Sequence, residues 1–332
     1  LDISGDADID GTLETDNLTV GGSQGSDGQV LTSTGSGVGW EDASGGGGVT
    51  SLVENNSIWL GNDPTSTTDT ASYSVALGTT ALDAVTTGDN NTAIGYDALT
   101  ALTDGPFNVA VGTYSLAALT SAQRSTAVGH EAGNYSNGSY NVYMGMQAGN
   151  SLESGGPQDG ASNTAIGYKS MGSAVLTSGG GNTCVGRESG LAIAAGSDNT
   201  YLGAYAGSAN TGQKNIAVGV YALDASNANS GNVAVGYQAL TACTTADLTA
   251  VGYQALAANT NGTCNAAVGY VALGANTTGA YNTAVGYQAL DANTEADFNT
   301  AFGYNALGSI TGGGVEACAQ NTAVGYNALA ST

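Results

Sequence analysis

Apolar and polar residues follow one another along most of this chain in a short pattern that repeats. A glycine preceded by a large apolar residue marks each unit, and this pair recurs sixteen times between Gly61 and Gly325. Of the fifteen intervals between these glycines, nine are 17 residues and three are 16, and the others are 22, 19 and 22. One such unit buries too little surface to offset the entropy of ordering it, so the units must stack. The pattern predicts a solenoid.

The residues before each glycine have the composition of a β-strand. The residue just before it, the pre-glycine column, is bulky and apolar in all sixteen units, and the residue two before it, the alanine column, is Ala in twelve. Neighbouring side chains on a strand point to opposite faces, so both faces of this strand are covered. We predict that the pre-glycine column forms the coil's core and that the alanine column faces a neighbouring subunit. The first set includes Val235, Val251, Val268 and Val285, and the second includes Ala234, Ala267, Ala284 and Ala301.

Two further columns predict the rest of each coil. Four residues after the glycine, the leucine column is Leu in ten of fifteen units, including Leu240, Leu256 and Leu290, and we place it in the core. Four residues before the glycine, the asparagine column is Asn in twelve of sixteen units. Asn at a fixed corner can close a turn and hydrogen-bond to its stacked neighbours. We therefore predict a turn ladder that includes Asn91, Asn163, Asn232, Asn282 and Asn321.

The long units add residues in turns rather than in strands. Pro157 lies in the longest insertion, and the other two prolines, Pro64 and Pro106, also fall in turn segments. Loops on a rigid scaffold are where contacts with other molecules evolve, so we expect contact loops at Pro157, Asp159 and Glu316. We also expect these insertions to bulge outward without distorting the stack.

The first fifty residues lack the repeat. Apolar residues or glycines alternate with polar residues from Ile3 to Leu13, and residues 1–22 predict an intertwined β segment. Residues 23–43 predict a small module in which 29–33 and 38–41 form a β-hairpin. Residues 44–56 form a Gly-rich linker and entry, and residues 57–332 form the solenoid shaft.

The charge of the chain limits the classes of partner that it can bind. Four basic residues against 27 acidic ones give a formal net charge of -23, which argues against nucleic acid and anionic membranes as partners. No apolar run is long enough to span a membrane as a helix, so we expect no membrane insertion.

No residue pattern indicates catalysis, a cofactor or a metal. The single histidine, His130, stands directly after its glycine, where eight units have tyrosine, so it is interpreted as a repeat residue. The cysteines Cys184, Cys243, Cys264 and Cys318 are too far apart for a zinc or redox motif and are expected to be free thiols. Calcium at the Asp and Asn corners is an alternative, although no calcium-binding nonapeptide occurs. We expect no enzyme and no cofactor.

Segments such as 282–290 (NTAVGYQAL) and 74–78 (SVALG) resemble repeats of bacteriophage tail fibres and of the β-roll heads of trimeric autotransporter adhesins. The opening segment 1–20 and the segment 28–33 are similar to structural proteins of marine tailed phages, which favours the phage family. The resemblance implies an all-β parallel β-solenoid of 16–17-residue coils, assembled as an intertwined homotrimeric fibre. Adhesin heads use a somewhat shorter unit than this chain.

The function expected from this resemblance is that of a structural and adhesive fibre of a tailed phage, located on the virion outside the cell. Its expected partners are two further copies of the chain, other tail or baseplate proteins and a host surface receptor, with a glycan as the expected class. Alternatives are a trimeric adhesin on the bacterial surface or another extracellular filament, and a binder of ice or glycan surfaces through a ladder of threonines. In such fibres a chaperone or a receptor-binding tip follows the repeats, so we expect the gene to continue past Thr332.

Overall fold

The computed structural model describes residues 19–20, 23–24, 29–33, 38–42, 51–54, 56–60, 70–150, 160–172, 179–225, 229–310 and 319–330. Every regular element in these residues is a β-strand. The chain divides into two compact units, Leu1–Thr50 and Ser51–Thr332.

The first unit contains two short antiparallel pairs. Strand β1 (Thr19–Val20) pairs with β2 (Ser23–Gln24), and β3 (Gln29–Ser33) pairs with β4 (Val38–Asp42). The second pair is the hairpin that the sequence predicts. The remainder of the predicted segment 1–22 and the glycine run of the linker lie outside the described residues.

The second unit is a parallel β-solenoid. Strand β5 (Ser51–Glu54) pairs antiparallel with β6 (Ser57–Leu60), and each later strand pairs in parallel with the next, one strand per coil. This parallel pairing confirms the predicted all-β solenoid. The strands after β6 are β7 (Val75–Leu77), β8 (Thr92–Ile94), β9 (Val109–Val111), β10 (Thr126–Val128), β11 (Val142–Met144), β12 (Thr164–Ile166), β13 (Thr183–Val185), β14 (Thr200–Leu202), β15 (Ile216–Val218), β16 (Val233–Val235), β17 (Thr249–Val251), β18 (Ala266–Val268), β19 (Thr283–Val285), β20 (Thr300–Phe302) and β21 (Thr322–Val324).

The two longest units do not disturb the ladder. Val142 pairs with Thr164 across the first insertion, and Thr300 pairs with Thr322 across the second. The register on both sides is the one found between 17-residue coils. The inserted residues therefore leave the strand stack in place, as the sequence predicts.

The sequence assignment of the two strand faces is wrong. Ala234, Ala267, Ala284 and Ala301 are fully buried inside the coil, whereas Val235, Val251 and Val285 are half-buried and Val268 is exposed. The leucine column, with Leu240, Leu256 and Leu290, is fully buried as predicted. The alanine and leucine columns share one narrow interior, so a large residue on one side requires a small one on the other. The pre-glycine column lies outside that interior.

The glycine after each strand is required by its backbone and by its neighbour. In the stacked coils its φ lies between 126° and 143°, a region that L side chains rarely adopt. A Cβ at Gly286, for example, would lie 2.2 Å from the carbonyl oxygen of Gly303 in the next coil. The invariant position in the repeat is therefore a point where two coils touch through backbone atoms alone.

The asparagine column forms the predicted turn ladder. The backbone N–H of Asn282 donates to the Asn265 side-chain oxygen at 2.8 Å, and Asn299 N–H donates to the Asn282 oxygen at 2.9 Å. The Asn282 amide also donates to the carbonyl of Ala296 at 2.8 Å. The other predicted members accept or donate in the same way and are Asn91, Asn163, Asn232 and Asn321.

One coil lacks this contact. Leu248 occupies the asparagine column and its N–H donates to the Asn232 oxygen at 3.0 Å, but a leucine side chain offers no acceptor to the following coil. A second ladder runs beside this gap, with Asn276 donating to Asn259 at 2.7 Å and Asn293 donating to Asn276 at 2.8 Å. The second ladder starts at Asn259, eleven residues after Leu248.

Candidate interaction surface

The outward face of the sheet carries two side chains per strand. They come from the pre-glycine column and from the residue three before the glycine, the threonine column, which is Thr in nine of sixteen coils. Neither column contains a charged residue in any coil. The exposed apolar members include Leu77, Val128, Met144, Ile166, Leu202, Val268, Phe302 and Val324.

This face contrasts with the charge of the chain. The chain has a net charge of -23, but all of its charged residues lie outside these two columns. The strand face therefore forms an uncharged stripe along the solenoid. Contiguous exposed apolar surface on a soluble protein marks an interaction site, because covering it removes that surface from water. The stripe is suited to an uncharged and equally regular partner.

The position after each glycine, the tyrosine column, forms a second outward surface. Tyr237, Tyr253, Tyr270, Tyr287, Tyr304 and Tyr326 occupy it in six successive coils. Neighbouring rings in this row have centroids 4.9 to 5.5 Å apart and planes within 15° of parallel. The in-register coils therefore place their aromatic rings in one continuous stack.

Three of the four basic residues lie against aromatic rings. Arg124 lies 5.4 Å from the centre of the Phe107 ring and 5.6 Å from that of Tyr140. Arg187 lies 5.4 Å from the Tyr205 ring and forms an ion pair with Glu188 at 3.2 Å. Lys169 lies 5.5 Å from the Tyr168 ring. These cations belong to local ring contacts and do not form a basic patch.

The histidine and the cysteines occupy ordinary positions of the repeat. His130 is exposed in the tyrosine column. Cys184 and Cys243 are buried, and burial raises the pKa of both thiols, so they are poorly suited to act as nucleophiles. Cys264 is exposed, and Cys318 lies outside the described residues. In the part of the chain that the structure describes, no three His, Cys, Asp or Glu side chains are grouped to hold a metal ion.

Three large residues, Trp59, Tyr143 and Tyr201, break the alanine column, and the coil is rebuilt around each of the two tyrosines. The Tyr143 side chain is fully buried, and a Cβ at Gly133 or Gly149 would lie 2.5 or 2.2 Å from its ring. Both glycines occupy the leucine column. The Tyr143 hydroxyl lies 3.2 Å from that of Ser136, and burial raises the pKa of Tyr143 to about 12.

Tyr201 repeats this arrangement in another coil. A Cβ at Gly207 would lie 2.6 Å from its ring, and its hydroxyl donates to the Asn210 side-chain oxygen at 3.2 Å. Sequence reasoning counted these residues only as departures from the two columns and missed their coupling. It also missed the buried column seven residues after the glycine, to which Ser136 and Asn210 belong together with Val85, Leu102, Leu119, Ile193, Cys243, Asn259, Asn276, Asn293 and Ile310.

The predicted contact loops are not tested by the structure. Pro157, Asp159 and Glu316 lie outside the described residues. The predicted core and ladder residues are all described. The pre-glycine valines belong to the outward stripe, whereas the leucines and asparagines belong to the scaffold beneath it.

Comparison of the chain with family models, curated proteins and solved structures finds no match. Among the described residues, no helix is long and apolar enough to cross a membrane.

Proposed function

We propose that this chain forms the shaft of a homotrimeric tail fibre of a bacteriophage, which supports host-receptor binding. The observation that carries the proposal is the uncharged outward stripe, which repeats in every coil of a parallel solenoid. A second copy of the same chain has the same repeat spacing and an equally apolar stripe, so it matches the stripe along its whole length. The resemblance of the repeats and of the opening segment to phage structural proteins supports the phage setting.

The sequence pattern places the alanine column at the subunit interface, and the structure requires a different interface in this proposal. The alanine column lies inside the coil, so the neighbouring chains would cover the pre-glycine column instead. The negative charge on the remaining surface keeps such a long assembly soluble and discourages lateral aggregation. Tail or baseplate proteins and a glycan receptor are the partners proposed for the ends and loops of the fibre.

The oligomeric state of two matched variants tests this proposal. Val268→Asp places a charge in the stripe, and Thr278→Asp places the same charge at an exposed turn position ten residues later. Light scattering should give three times the 32.4 kDa chain mass for the wild type and for Thr278→Asp. Val268→Asp should shift the mass towards one chain, because an unpaired charge is costly in an apolar interface.

A wild-type mass of one chain would contradict the trimer. An unchanged trimer in Val268→Asp would place the interface elsewhere. Tail genes beside the coding sequence would support the phage setting, and a membrane anchor encoded on the same polypeptide would favour the surface adhesin.

A further inference from the structure

The tyrosine row offers a chemistry that the fibre proposal does not use. We define the tyrosine ladder as Tyr237, Tyr253, Tyr270, Tyr287, Tyr304 and Tyr326. The first five side chains are 41 to 45% exposed and Tyr326 is 75% exposed. These phenols are accessible to small molecules in solution, although their rings also contact one another.

The backbone fixes the spacing of this ladder. The carbonyl oxygen of each ladder tyrosine from Tyr237 to Tyr304 accepts an N–H from the next coil, for example from Gln288 to Tyr270 at 2.9 Å and from Asn305 to Tyr287 at 2.8 Å. The rings are therefore held one coil apart, and the Tyr270 and Tyr287 centroids are separated by 4.9 Å with planes 6° from parallel. Each inner ring of the ladder therefore has one neighbouring tyrosine ring on either side.

The same geometry argues against sugar binding by this surface. A sugar ring binds tyrosine by stacking on its face, but in the ladder the faces of the inner rings are covered by the neighbouring tyrosines. What remains exposed is the ring edge and the hydroxyl. Chemistry at the ladder must therefore occur at ring edges or between adjacent rings.

We propose that the tyrosine ladder is a site of oxidative cross-linking, at which tyrosines of successive coils are joined as dityrosine. The oxidant is a peroxide acting through a one-electron catalyst. Each of two phenols gives up one electron and one proton, and hydrogen peroxide takes up the two electrons and two protons to become two water molecules. The two radicals join through ring carbons ortho to their oxygens (Cε), and the hydrogens on those carbons move to the oxygens and restore both phenols.

The structure favours coupling within one chain over coupling between particles. A radical formed on Tyr270 has phenol neighbours about 5 Å away on both sides, and a reaction between groups held this close gains a large effective concentration. The net charge of -23 also slows encounters between separate particles. Each cross-link would tie two coils that are otherwise held by hydrogen bonds and packing, so an oxidised solenoid should resist unfolding.

The test uses the full chain, hydrogen peroxide and a catalytic amount of a haem peroxidase. The ladder variant carries Tyr253→Phe, Tyr287→Phe and Tyr326→Phe, which keeps the stack but leaves no two adjacent phenols in the ladder. The matched control removes three exposed tyrosines outside the ladder, Tyr73→Phe, Tyr140→Phe and Tyr281→Phe. Circular dichroism of both variants checks that the fold is retained.

The wild type and the control should develop dityrosine fluorescence, lose two hydrogens per cross-link by mass spectrometry and run as single chains on a denaturing gel. The ladder variant should lose more than half of this fluorescence. The stacked pair Tyr205 and Tyr221, 4.9 Å apart, should account for its remaining signal. Equal yields in the two variants, cross-links mapped to tyrosines outside the stacked pairs, or a yield that rises with protein concentration would overturn the proposal.

Discussion

Replacement of Tyr143 by alanine tests the coupling between the alanine and leucine columns. The side chain is fully buried, and truncating a buried aromatic residue costs about 3 to 5 kcal/mol through lost burial and the remaining cavity. Gly133 and Gly149 line the space and have no side chains to move into it. Loss of the contact with Ser136 adds to the cost, so we expect Tyr143→Ala to lower the free energy of unfolding by about 4 kcal/mol.

The same interior predicts a rescue. Adding Gly133→Leu and Gly149→Leu to Tyr143→Ala recreates the alanine and leucine pairing of the other coils. Leucine already adopts the required left-handed backbone in this column, for example at Leu240 and Leu256 with φ of 54° and 52°. The triple variant should recover most of the loss, whereas Gly149→Leu alone should destabilise the chain because its side chain overlaps the Tyr143 ring.

Guanidinium unfolding of the wild type, the single variants and the triple variant measures this coupling. Hydrogen exchange in β10 (Thr126–Val128), β11 (Val142–Met144) and β12 (Thr164–Ile166) shows whether the loss is local, since long repeat arrays can unfold in parts. A triple variant that is less stable than Tyr143→Ala would refute the shared interior. So would additive effects of the substitutions, because residues that share one space should show strong coupling.

Three further substitutions test the corners of the coil. Asn282→Ala removes an acceptor for Asn299 and a donor to Ala296, so chemical unfolding should show a free energy of unfolding lower by about 2 to 3 kcal/mol. The control Asn261→Ala, at an exposed turn, should change it little. Gly286→Ala should be far more destabilising than Gly325→Ala in thermal melts. Both glycines have a φ above 130°, but only at Gly286 would the new Cβ lie against the backbone of the following coil; equal losses would contradict this. Burial raises the pKa of Asp291, so its folded form favours the neutral acid and stability falls as the pH rises through that raised value. Asp291→Asn should therefore raise the melting temperature at pH 7 and not at pH 3, and a gain at both pH values would point to a different cause.

The strand positions could be predicted from the sequence, because the glycine marks a backbone conformation that every coil needs. The asparagine ladder could also be predicted, because stacked coils place identical corner side chains in contact. Which strand side chains point into the coil was predicted wrongly. Val268 is larger and more apolar than Ala267, and size alone suggests the core, but the coil is too narrow for a large residue opposite Leu273.

The paired exceptions were visible in the sequence but needed the structure to be connected. Gly133 and Gly149 lie ten residues before and six residues after Tyr143, and only the stacking of coils shows that all three share one space. The tyrosine ladder was visible only as a column composition, because ring spacing and ring orientation depend on the register between coils.

Electron cryomicroscopy of the assembled chain tests the central claim most directly. We predict a rod section about 70 to 75 Å long, set by sixteen strands at about 4.8 Å spacing, with three solenoids in cross-section. Inside each solenoid the map should show the alanine column, and the pre-glycine residues, including Val235, Val251 and Val285, should lie between neighbouring chains. A single solenoid with those valines facing solvent would contradict the account.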